Sequence, residues 1–244
     1  MENLFFYDTL LDRFRKISEE NKLLKETVMV TGRALNPEEA IGNPSRKDFP
    51  ILKGKEKLMQ AEFKGCKGQA FTDMAGSFSG TIEEILERKL KNNFDKAVLV
   101  STLNAVCRHL EICDRSIHCK DEDPEQCAEE LVEYIAEKYN SPRITLVGLQ
   151  PSMLERLSEK FEVRALDLDE DNIGEIKFGV KIENGMTETQ DALEWCQLIV
   201  ATGSTVVNGS ITEFITDKPV IFFGTTIAGT ASLMNLERFC ACAK

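Results

Sequence analysis

Cys107, Cys113, Cys119 and Cys127 fall within a stretch of 21 residues, with His109 and His118 between them. Thiolates and imidazoles are the ligands that soft and borderline metals prefer. The spacings of five, five and seven intervening residues differ from the paired CxxC units of compact structural zinc sites. Burial as small apolar side chains therefore stays open beside a metal or redox role. His118 and Cys119, in the run HCKDED, are the first candidate metal ligands, and Cys107 and Cys113 the second pair. Cys240-Ala241-Cys242 adds two thiols that could hold a metal together with a partner's groups, or simply pack.

A different set of residues could hold a small molecule. Four apolar runs end in Gly148-Leu149-Gln150-Pro151-Ser152, Asp167-Leu168-Asp169, Thr202-Gly203-Ser204-Thr205 and Gly224-Thr225-Thr226. Small residues there allow close backbone approach, and a following helix N-terminus can offer unpaired amides to an anion. Asp167 and Asp169 lie 19 and 21 residues beyond Gly148, a spacing suited to a carboxylate gripping ribose hydroxyls, although an Asp at a strand end is also an ordinary turn residue. Asn208 follows Ser204 by one helical turn and can face the same opening. Neither a full GxGxxG after Val147 nor a GxxxxGK[ST] motif occurs, which removes the usual dinucleotide and P-loop signatures. Upstream, Asn43, Arg46, Lys47 and Asp73 sit in nonrepetitive polar loops that can wall a cleft, with the two cations suited to carboxylate or phosphate. No Ser-His-Asp order or nucleophile elbow supports a hydrolase.

These groups need elements to position them. Tyr7, Leu10, Leu11, Phe14 and Ile17 repeat at helical spacing, so residues 3–25 read as an amphipathic helix. Residues 26–32 read as a strand, and KLMQAEFKG and GQAFTDMAG as two strands joined by a turn. Ser79 is placed to cap a helix over TIEEILERKLKNNF. Residues 95–110 have helical apolar spacing with a strand conceivable at 97–100, and Pro124 opens another helix that Asn140-Ser141-Pro142 ends. After that punctuation, strand and helix patterns alternate, which implies a mainly parallel sheet covered on both faces. The expected division is 1–140 and 141–244. Ligands of such a sheet collect at the carboxyl ends of its strands.

The chain has 244 residues, 42% of them hydrophobic, enough for a packed core. With 30 Lys plus Arg against 41 Asp plus Glu, the net charge of -11 argues against a nucleic-acid partner. The charge is uneven: Arg46 to Lys67 holds seven basic and three acidic residues, and Asp121 to Glu137 eight acidic and no basic ones. Two solvated surfaces explain this, or a small anionic ligand near the first stretch. No apolar run reaches the roughly 18 residues of a membrane span, and the charged first turns do not read as a secretory signal. A cytoplasmic protein is expected, with reduced thiols.

GRALNPEEAIGNPSRKDFPILKGKEKLMQAEFKGCKGQAFTD, the LNAV segment at 103–106, TGSTVVNG at 202–209 and PVIFFGTT at 219–226 resemble the DUF364 family, whose name refers to heavy-metal chelation, with its DUF4213 N-terminal region. The resemblance spans nearly the whole chain. It implies an α/β protein: an enolase N-terminal-like α+β domain, then a Rossmann-like domain, with a ligand cleft between them. The family's third-strand turn falls on Thr202, Gly203, Ser204, Asn208 and Gly209, and the asparagine of its NA pair on Asn104. The Gly-Thr-Thr after the last core strand lacks the more proline-rich loop often found there. The leading expectation is a protein that handles a transition or heavy metal, or a metal-chelating small anionic ligand, in that cleft. A nucleotide- or S-adenosylmethionine-dependent Rossmann-like enzyme and a noncatalytic binding or scaffold protein are the alternatives. Catalysis and homo-oligomer formation stay open.

Overall fold

The computed structural model describes residues 3–30, 35–53 and 56–244. The first half comprises α1 (Asn3–Glu20), β1 (Thr27–Val30), α2 (Pro37–Ile41), a 3-10 turn at Pro50–Lys53, β2 (Lys57–Phe63), β3 (Cys66–Thr72), β4 (Phe78–Thr81), α3 (Ile82–Leu86), α4 (Asn93–His109) and α5 (Asp123–Tyr139). The second half comprises β5 (Ile144–Val147), α6 (Pro151–Lys160), β6 (Val163–Asp167), β7 (Ile176–Lys177), β8 (Val180–Asn184), α7 (Thr189–Trp195), β9 (Leu198–Thr202), α8 (Thr205–Asn208), α9 (Ile211–Phe214), β10 (Val220–Phe223), α10 (Ala228–Met234) and β11 (Arg238–Phe239). The end of the strand expected at 26–32, the opening GRA of the long motif and its Gly54-Lys55 lie outside the described residues.

The first sheet is antiparallel in the order β3-β2-β1-β4. Its β2-β3 hairpin turns at Lys64-Gly65, both at positive φ, the backbone that a tight two-residue turn requires and that Gly supplies without strain. The helix expected after Ser79 is shorter and capped later. Thr81, the last residue of β4, is the cap, accepting from the Glu84 amide while the Glu84 carboxylate accepts from the Thr81 amide; Ser79 lies two residues back inside the strand, opposite Met29. Asn92 then caps α4, which is helical throughout, including 97–100.

α4 is buried along almost its whole length, from Ala97 to Cys107. A helix apolar on all sides must be covered on all sides: α4 packs on β2 and β3 on one flank and on α8 and α10 on the other. Gly68 of β3 permits this, since a Cβ there would lie 2.3 Å from the Ala105 nitrogen and 2.3 Å from the Ser101 oxygen. One apolar core therefore runs from α1 and the antiparallel sheet through α4 into the second sheet.

The second sheet has the order β11-β10-β9-β5-β6-β8-β7, parallel except for the β7-β8 hairpin at its edge. Counted along the chain from β5, with β7 left aside, this is strand order 3-2-1-4-5-6, the doubly wound Rossmann arrangement. Side chains alternate between its faces as the strand period demands: Ile199, Ala201 and Phe222 join the core around α4, whereas Leu198, Val200 and Ile221 pack under α5 and α6. α5 thus covers the parallel sheet. The two-domain α/β architecture is that of an antiparallel unit followed by a mostly parallel Rossmann-like one.

Candidate functional site

A cavity of about 590 Å³ opens where the carboxyl ends of β5, β6, β9 and β10 face the end of β3. Its size lies within the range of small-molecule pockets, and it sits where strand order reverses between β5 and β9, the place where such sheets collect ligands. Most of the wall is apolar, with Phe49, Phe71, Met153 and Phe214 among its members. The polar part of the wall has one sign of charge. Glu56, Asp73, Asp167, Asp169 and Glu213 line the cavity and, among the described residues, no Lys or Arg does.

Asp167 ends β6 and closes the floor. Its Oδ2 accepts the Leu149 amide at 3.0 Å and its Oδ1 the Asp169 amide at 2.7 Å, so one carboxylate ties the β5 loop to the β6 loop. Asp169 in turn accepts the amide of Asp171 at 3.1 Å. The loop after β5 differs from an anion cradle: Pro151 has no N–H, and the Gln150 side chain caps the Met153 amide, which leaves fewer first-turn amides for a ligand. In the β9 turn, Thr205 Oγ1 donates to the Thr202 carbonyl at 2.8 Å and the Ser204 amide donates to Thr202 Oγ1 at 3.3 Å. Asn208 Oδ1 accepts the Ser210 amide and hydroxyl. These groups mostly build their own turn. Thr225 differs: it lines the cavity at 1% exposure, and its Oγ1 has no hydrogen-bond partner in the protein.

Glu56 is the titratable group that sequence reasoning missed. Burial, aided by Asp167 and then Asp169, pushes its carboxyl up to about 7. A group so poised beside a cavity can give or take a proton near neutrality. Nothing in its own sequence neighbourhood, a basic run, marks it.

His118 and Cys119 also lie on the wall. His118 Nδ1 sits 2.6 Å from the Cys119 carbonyl, which can only accept, so Nδ1 carries the proton and Nε2 the lone pair. Burial holds His118 below the ordinary histidine range, and its ring meets Phe71 edge-on.

Of the residues singled out from sequence, Asp73, Gly148, Asp167, Asp169, Thr202, Ser204, Thr205, Asn208, Gly224 and Thr225 line the cavity together with His118 and Cys119. Asn43, Arg46, Lys47, Asn104, Gly203, Cys107 and Cys113 do not. The basic loop expected to attract an anion is instead docked on the acidic start of α5. The Asn43 amide donates to Asp121, Ser45 to Glu122, and the Arg46 guanidinium meets Glu125, Glu155 and Asp48. Lys47 Nζ donates to the Pro44 carbonyl at 2.6 Å. The start of the basic segment is thus tied to the start of the acidic one, with Arg46–Glu125 as the ion pair between them.

Asn104 is buried in α4 and works at second hand. Its Nδ2 donates to the carbonyls of Gln69, Thr225 and Thr226, and its Oδ1 accepts the Gly229 amide at 2.7 Å. It joins α4, β3 and the β10 loop, and that loop is part of the cavity wall. Cys107 and Cys113 pair with each other beneath this point. Cys113 is the one whose thiolate is favoured, by the Cys107 thiol and then by Arg238 and Arg108. Among the described residues, no group of three or more His, Cys, Asp or Glu side chains is arranged to hold a metal ion.

Strand order and the position of the cavity place the second half in the Rossmann-like α/β class. Residues 130–234 match the DUF364 family, described as "Putative heavy-metal chelation". The chain is also similar to a crystal structure of a DUF364 protein of unknown function from Pyrococcus horikoshii, with TM-score 0.52, 18% identity, and 89% of this chain and 79% of that chain covered. A second DUF364 structure, from Desulfitobacterium hafniense, gives TM-score 0.47 and 10% identity over 73% of this chain and 72% of that one. At 18% identity the likeness to the Pyrococcus horikoshii structure speaks to fold alone. The comparison with curated proteins finds no match. Among the described residues no helix is long and apolar enough to cross a membrane.

Proposed function

We propose that the chain handles a metal-bearing or otherwise positively charged small molecule, held in the cavity between its two sheets. The carrying observation is the sign of the wall: five carboxyl side chains and, among the described residues, no Lys or Arg on an otherwise apolar surface. An anion brought into that setting would lose its hydration and meet like charge, so the anionic ligand expected from sequence gives way to a cationic or neutral metal complex. Glu56, Asp167 and Asp169 would face the positive centre, the Thr225 hydroxyl would find its partner in the ligand, and the aromatic and Met side chains would cover an apolar body. The family description of the matched segment points the same way. In this reading residues 1–140 form the enolase N-terminal-like, DUF4213-type unit and 141–244 the Rossmann-like unit, with α5 crossing over to cover the second sheet. The eight free thiols suit a reducing cytoplasm.

Calorimetric titration with cobalt(II) as the aqua ion, as its cationic phenanthroline complex and as its citrate complex tests the sign. The cationic forms should bind most tightly and weaken in Glu56→Gln and Asp169→Asn. Preference for the citrate complex would overturn the reading.

One observation favours a second reading, an S-adenosylmethionine or nucleoside ligand: strand order 3-2-1-4-5-6 with Asp167 at the end of its second strand. A sulfonium is a positive centre and ribose offers hydroxyls to the acidic strand end. Unchanged S-adenosylmethionine binding in Asp169→Asn, or no binding at all, would sink it.

A further inference from the structure

The cavity wall draws on packing of two kinds. Val147, Leu166, Met153 and Phe223 line it from strands and a helix that belong to the two main apolar cores. Phe49, Pro50 and Ile51 line it too, from the segment between α2 and β2. Phe49 and Ile51 pack with Ala40, Ile41 and Leu58 in a small third cluster, separate from both cores. Satellite clusters of this kind lie under long loops, and segments held by few apolar contacts open at lower free energy than a core does.

The contacts that hold this segment down are polar and reach the starts of α5 and α6, the helices that cover the second sheet. Gly42, at φ 67°, turns the chain out of α2 so close to Asp121 that a Cβ there would lie 2.2 Å from Asp121 Oδ1. That oxygen accepts the Asn43 amide at 2.8 Å, and the Asp121 amide donates to the Ile41 carbonyl at 2.8 Å. Together they make a fixed pivot. Beyond it, the Ser45 amide and hydroxyl both donate to Glu122 Oε1 at 2.7 Å. Arg46 then spans three carboxylates: Nε meets Glu125 at 2.7 Å, Nη1 meets Asp48 at 3.3 Å and Nη2 meets Glu155, while its guanidinium carbon lies 5.4 Å from the centroid of the Phe178 ring. Asp48 works against this arrangement. Its Oδ1 is covered and has no hydrogen-bond partner in the protein, and a desolvated oxygen left unpaired favours the lifted form, where water reaches it.

We propose that residues 43–51 form a gate to the cavity, a strap that pivots at Gly42 and is latched by Arg46 to Glu125 and Glu155. The gate presupposes that the cavity is the ligand site, as proposed above, but not the sign of the ligand's charge. Arg46 lies off the cavity wall, so the latch is the same whether the cavity is empty or filled. A ligand shifts an equilibrium only by its differential affinity for the two states, and a contact made equally in both leaves affinity alone. Weakening the latch therefore raises how often the strap lifts, and it speeds entry and exit by the same factor.

Two measurements on the full chain test the gate. In the ligand-free protein, methyl relaxation dispersion should report a lifted minor state at Ile51, more populated by about tenfold in Arg46→Ala, while Ile41 at the pivot and Val98 in α4 stay silent. In stopped-flow mixing with the cationic cobalt(II) phenanthroline complex, Arg46→Ala should raise the association and dissociation rate constants by about the same tenfold factor and leave Kd unchanged. Arg46→Lys keeps the charge but cannot bridge three carboxylates, so it should raise both rates by a smaller factor. Arg156→Ala removes another α5-to-α6 ion pair, to Glu129, away from the cavity and should change neither rate. An Ile51 methyl silent in the folded Arg46→Ala variant, unchanged rates in that variant, or a weaker Kd carried by dissociation alone would overturn the gate. Failure of the cobalt complex to bind would count against the proposed ligand, and the Ile51 methyl, which needs no ligand, would still decide the gate.

Discussion

Replacing Asn104 by Ala tests whether one buried amide holds the two sheets in register. Asn104 has no exposure and its side chain makes four contacts: Gln69 O at 2.9 Å, Thr225 O at 3.2 Å, Thr226 O at 3.0 Å and Gly229 N at 2.7 Å. Truncation leaves the Gly229 amide without its acceptor in the interior, which costs about 1–3 kcal/mol. The two Nδ2 protons serve three carbonyls, so their loss adds roughly two ordinary buried hydrogen bonds, about 1 kcal/mol each. The sum, about 3–5 kcal/mol, is a large part of the roughly 5–15 kcal/mol that holds a domain together. Urea unfolding followed by far-ultraviolet circular dichroism and by the fluorescence of Trp195 measures it. Asn104→Asp supplies the internal check. Its carboxylate keeps an acceptor for Gly229 but turns negative oxygen toward three carbonyls, so it should lose at least as much at pH 7 and recover part of that loss once acid restores a donor hydrogen. A loss below about 1 kcal/mol for Asn104→Ala, with the fold intact, would refute the reasoning.

Three further outcomes follow from the same contacts. Glu56 has a folded pKa of about 7 against an ordinary value of 4.5; the folded state therefore binds the extra proton between those values, and stability falls as pH rises from 4.5 to 7. Glu56→Gln should flatten that fall and stabilise the chain by on the order of 2 kcal/mol at pH 8, measured by thermal unfolding across pH, whereas cobalt(II) binding in the wild type should strengthen as pH rises through 7. Arg46→Ala leaves Glu125 and Glu155 facing each other without their cation and should cost about 1–2 kcal/mol with no loss of ligand affinity in calorimetry, because Arg46 lies off the cavity. Gly68→Ala drives a Cβ to 2.3 Å from α4 backbone atoms and should destabilise by about 3 kcal/mol in denaturant titration.

Sequence pattern made the second sheet readable because its strands are short, apolar and separated by helices, and each ends in small or acidic residues. β5, β6, β9 and β10 were all legible, and so were the loops that meet at the cavity. β7 and β11 carried weak signals: Ile176–Lys177 and Arg238–Phe239 are two residues each, too short for periodicity to register. The helix expected after Ser79 starts later, at the cap Thr81 where β4 ends, and stops at Leu86, because Asn92 opens a second helix within the same stretch.

The anion expected beside Arg46 and Lys47 and the cation proposed for the cavity differ for a reason that no single segment contains. Arg46 to Lys67 is basic and Asp121 to Glu137 acidic, and each read alone suggests its own partner. Tertiary structure lays the start of the first, with the loop before it, on the start of the second, through Asn43–Asp121, Ser45–Glu122 and Arg46–Glu125, so Arg46 is engaged away from the cavity. What reaches the cavity is the remainder: Glu56 from within the basic run, and Asp167 and Asp169 from a strand end 111 and 113 residues further along. Charge at a site is set by which side chains the fold brings to it. It follows that a variant able to reverse ligand preference should alter Glu56 or Asp169, and that Arg46, for all its charge, should leave that preference where it was.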